Sequence, residues 1–100
     1  MASKEVNKFK ELRSLFNLIN MSIKNNPSEE NARELIEKLT TCIKNIDDPV
    51  LASNFQTYWL EIEEKLKQRT DESYFIIQKR LITIQIEKVM FPELSRSATR

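Results

Sequence analysis

The sequence predicts an all-α fold, a small four-helix bundle that dimerises through its C-terminal helix. Two observations carry that prediction. Apolar residues recur at three- and four-residue steps along four successive segments, the period of one helical face. Glycine is absent and the three prolines, Pro27, Pro49 and Pro92, sit at segment boundaries. Tight hairpins and phosphate-cradling loops draw on glycine for positive φ, so its absence argues against a β-rich fold and a glycine-rich nucleotide loop.

The first segment is expected over about 3–24, in a single domain spanning 1–91. Val6, Phe9, Leu12, Phe16, Ile19 and Ile23 form one stripe, and Leu15 and Leu18 widen it. Ser3 is the expected cap, with Glu5 where the helix dipole favours an acid. Asn25-Asn26 then stops the helix. The second segment, about 27–46, is expected to start from Asn26 as cap, Pro27 at the first helical position and Glu29 three residues after the cap. Ala32, Leu35, Ile36, Leu39, Cys42, Ile43 and Ile46 mark its inner face, and Glu34 with Lys38 is an outward i, i+4 pair.

Asp48-Pro49 repeats the device for the third segment, about 49–69, where Leu51, Phe55, Tyr58, Trp59, Ile62 and Leu66 follow at helical spacing. These bulky side chains place this helix at the centre of the core. The run KNIDDPVLASNFQTYWLEIEEKL loosely resembles the small helical domains of transcription elongation factors, with an Asp-Pro turn before a tryptophan-bearing helix. An Asp-Pro cap ahead of an amphipathic helix is generic, and this resemblance assigns no family.

Thr70 or Asp71 is the expected cap of the fourth segment, about 71–91. Ile82, Ile84 and Ile86 alternate with Thr83 and Gln85, a period that also suits a strand. A strand needs a partner and no other segment reads as one, so helix is the expectation. Residues 92–100 read as a disordered tail.

Composition bounds the chemistry. One hundred residues make one domain, with 40% hydrophobic and 31% charged residues and a net charge of +1. Histidine is absent, which removes the usual general base and the commonest metal ligand. Cys42 is the only cysteine, so neither an intramolecular disulfide nor a thiolate zinc cluster can form. The acids fall on outer faces and first turns. A non-enzymatic protein is expected, with no cofactor, metal or small-molecule substrate. Few cysteines suit a reducing, intracellular compartment, cytoplasmic or nuclear. No apolar run approaches the ~20 residues of a membrane span. The abundance of Ile, Lys and Asn fits an AT-rich genome, a viral one among others.

The fourth segment stands out. At about 100° per residue, its apolar arc covers roughly two-thirds of the circumference, whereas one core needs little more than 100°. Tyr74, Ile77, Leu81 and Ile84 form one side; Phe75, Ile82, Ile86 and Val89 form the adjacent one, with Gln78 and Gln85 between them. Phe75, Gln78, Ile82, Gln85, Ile86 and Val89 are the expected dimer or protein-partner interface. The glutamines suit a seam whose register a polar residue fixes. The leading expectation is a helical interaction protein acting as a homodimer. The alternative is a helical dimer gripping duplex RNA or DNA, such as a regulator or viral suppressor. Its candidate phosphate contacts are Lys65, Lys67, Arg69, Lys79 and Arg80 around the third-to-fourth turn.

Overall fold

In the computed structural model, four helices follow one another: α1 (Ser3–Asn25), α2 (Glu29–Lys44), α3 (Pro49–Lys67) and α4 (Glu72–Met90). The structure describes residues 3–92, with side-chain surroundings from residue 7 onward. The side chains of Ser3, the expected cap, and of Glu5, and the tail beyond Pro92, lie outside the described residues.

Local chemistry sets each start. Asp48 caps α3, its side chain accepting from the Val50 N–H at 2.9 Å, with Pro49 in the first turn as expected. Asp71, not Thr70, caps α4 and accepts from the Tyr74 N–H at 3.3 Å. The Thr70 hydroxyl instead donates to the Leu66 carbonyl at 3.0 Å. The start of α2 departs from expectation. Its cap is Ser28, whose Oγ accepts from the Asn31 N–H at 3.2 Å, and Asn26-Pro27 stays outside the helix. Asn31 explains the shift. Its Nδ2 donates to the Asn26 carbonyl (2.9 Å), the Ser22 Oγ (3.0 Å) and the Ser22 carbonyl (3.3 Å), tying the end of α1 to the first turn of α2. A start at Pro27 would carry Asn31 two residues deeper into the helix, away from those acceptors.

One continuous cluster of buried residues draws on all four helices. From α1 it takes Leu12, Phe16, Ile19 and Ile23; from α2 and the turn after it, every apolar residue of the expected face except Cys42, which is half-buried. In α3, Leu51, Phe55, Trp59, Ile62 and Leu66 are buried, with Tyr58 packed against them. Leu18 does not widen the stripe inward: it is 63% exposed. Aromatic pairs zip the helices together. Phe16 meets Phe55 edge-on at 5.2 Å and Tyr58 at 5.2 Å, joining α1 to α3. Trp59 stacks on Phe75 at 6.0 Å, joining α3 to α4. Arg33 of α2 lies 4.4 Å over the Tyr74 ring of α4.

The arrangement is flat, 39 × 38 × 17 Å, about two helix layers thick. Helices α2 and α3 touch each other and both outer helices, while α1 and α4 share no contact. Only two neighbours therefore cover α4, and both lie on one side of it.

Candidate interaction face

The buried side of α4 is Phe75, Ile82 and Ile86, with Val89 and Met90 partly covered at its end. This corrects the expected interface. Phe75, Ile82 and Ile86 are at most 3% exposed within the single chain and are not available to a partner. Gln78, Gln85 and Val89 are half-buried at the margin. The physical reason lies in the fit: the Phe75 ring has Trp59 to stack on, and the one charge at the edge of this side, Lys79, is answered by Glu63 of α3.

The open face is the other one. Ile77 (57%), Leu81 (46%) and Ile84 (43%) are exposed, as is Phe91 (48%) just past the helix end. Steps of four and three residues keep the first three on one line, while Phe91, past the last helical turn with φ −131° and ψ 65°, borders a groove with Trp59, Leu60 and Met90. Lys88 continues that line, four residues after Ile84. Tyr74, half-buried, begins it. Arg80 and Glu87 flank it on one edge, Gln78 and Gln85 on the other. Arg80 and Glu87 are exposed, and neither makes an ion pair or side-chain hydrogen bond among the described residues.

The expected basic cluster does not form one free patch. Lys65 donates to the Asn20 Oδ1 of α1 at 3.2 Å. Arg69 is half-buried and folds back to the Lys65 carbonyl at 2.9 Å. Lys79 lies 3.5 Å from Glu63, the one ion pair among the described residues; the outward pair expected between Glu34 and Lys38 is not formed. Lys67 and Arg80 remain exposed, on different helices.

Cys42 sits beside a groove of about 330 Å³ whose walls include Leu12, Leu15, Ile46 and Leu51. Burial raises its thiol above the ordinary value, so the nucleophilic thiolate is disfavoured there. Among the described residues no three His, Cys, Asp or Glu side chains gather where they could hold a metal ion. No helix among them is long and apolar enough to cross a membrane.

Compared with protein-family models, curated proteins and solved structures, the chain matches none.

Proposed function

We propose that this chain is a non-enzymatic helical interaction protein that associates with a second copy of itself through the outer face of α4. One observation supports this above all: Ile77, Leu81 and Ile84 stand exposed on one line, opposite the side that builds the core. Covering the exposed half of such a side chain is worth roughly 1 kcal/mol, and lines of this spacing are what helices use to pack on one another. A contiguous apolar line rimmed by polar residues is a feature of interaction surfaces. The net charge of +1 offers little repulsion to a second copy.

Duplex nucleic acid takes second place as a partner. Three of the five cations expected to hold phosphates are engaged within the chain, and grip on a phosphate backbone needs several free ones together.

Sedimentation across a micromolar concentration series tests the reading. The expected result is a concentration-dependent rise from 11.9 kDa toward twice that mass. Ile84→Asp should hold the protein monomeric while leaving its helical circular dichroism unchanged, because Ile84 makes no part of the core. A wild-type chain that stays monomeric throughout the series would overturn the proposal.

A further inference from the structure

The face is self-complementary in one orientation only, and from this we infer that two copies pair α4 against α4 antiparallel, about a two-fold axis between residues 82 and 83. The inference rests on the self-association proposed above and adds its geometry. The line Tyr74, Ile77, Leu81, Ile84, Lys88 alternates steps of three and four, the seam positions of a helix pair. Turned end for end about that axis, each inner seam residue meets a fitting one. Leu81 meets Ile84 of the second copy at the centre, and Ile77 lies under the aliphatic stem of Lys88, whose ammonium reaches water. Tyr74 falls at each end of the seam.

The edges decide the orientation. Arg80 and Glu87 are seven residues apart on one edge and carry opposite charge. Antiparallel pairing sets Arg80 of each copy beside Glu87 of the other, twice per dimer. On the opposite edge Gln78 meets Gln85, two amides that can donate and accept reciprocally. Parallel pairing would put Arg80 against Gln85 and Glu87 against Pro92, leaving both charges unanswered. The absence of an intramolecular partner for Arg80 or Glu87 among the described residues fits this assignment, since Lys79 on the inner edge already has Glu63.

A charge exchange tests it, read as the dimer dissociation constant by sedimentation at low salt. Arg80→Glu and Glu87→Arg should each weaken association by about tenfold, because each sets two like-charged pairs across the seam. The double variant Arg80→Glu/Glu87→Arg should return to within about twofold of wild type, and the differences should shrink at high salt. Both residues are exposed, so folding is not at stake. If the wild type dimerises and Ile84→Asp abolishes it, but the double variant is as weak as either single one or weaker, the antiparallel register is wrong while self-association through this face stands. A wild type that never dimerises removes both.

Discussion

Tyr74 stands where the covered and open sides of α4 meet, and its environment is unusual at both ends of the side chain. The ring lies under the Arg33 guanidinium, while the hydroxyl oxygen is enclosed without a hydrogen-bond partner. Burial pushes the phenol above its ordinary value of 10.0; the Glu37 carboxylate adds to the rise and Arg33 opposes it. The unfolded chain therefore gives up this proton first, and the contribution of the neutral phenol to stability is complete below about pH 10 and is lost as pH climbs through the folded-state value. Tyr74→Phe keeps the ring contact and removes the unpartnered oxygen. It should be neutral or stabilising by up to about 1 kcal/mol near neutral pH. It should also flatten the alkaline fall in melting temperature relative to wild type, and denaturation from pH 8 to 11 followed by circular dichroism checks both expectations.

Helix by helix, the apolar period and the caps made most of the fold legible. All four helices fall where three- and four-residue spacing puts them, and Asp48-Pro49 and Asp71 cap as side chains of their type do. The start of α2 was less legible because two capping residues, Asn26 and Ser28, flank Pro27, and local preference alone does not choose between them. A tertiary contact chooses: Asn31 reaches back to α1 only if the helix begins after Ser28. Ser28→Ala should accordingly cost about 1 kcal/mol and Asn26→Ala clearly less, measured by urea denaturation. Equal costs would return the cap to Asn26. The inward side of α4 was illegible for another reason, since a wheel gives angles between residues but not the direction of the neighbours. Both sides offer four large apolar residues. The signal that separates them is Lys88, which falls within the arc of Ile77 and Leu81, while the charge nearest Phe75, Ile82 and Ile86 is Lys79, at the edge of their arc and paired with Glu63. An internal helix side excludes an uncompensated charge, whereas a seam tolerates a lysine whose stem can lie flat.

At the scale of the whole molecule, the flat shape is what leaves α4 half dressed. Three helices can wrap a fourth only if they surround it, and here α1 lies beyond α2 and α3, out of reach. The same geometry exposes Leu18 and Met21 on α1, at 63% and 59%, so exposure alone does not single out α4. Continuity does. On α1, Ser14 and Asn25 occupy the neighbouring turns, and Leu18 continues only into the half-buried Leu15, whereas on α4 Ile77, Leu81 and Ile84 run on successive turns. Scattered exposed apolar residues are ordinary on folded proteins, and a continuous line is not. Three variants then divide the roles. Leu18→Ser/Met21→Ser should leave both melting temperature and dimer mass close to wild type. Leu81→Asp should abolish the dimer and leave the monomer helical. Phe75→Asp should unfold the chain, because a carboxylate placed against Trp59 can be neither solvated nor paired there, a loss of more than about 3 kcal/mol. Sedimentation and thermal melts on the same three samples read all of this. A folded, monomeric Phe75→Asp would put the partner surface back on the side assigned to the core.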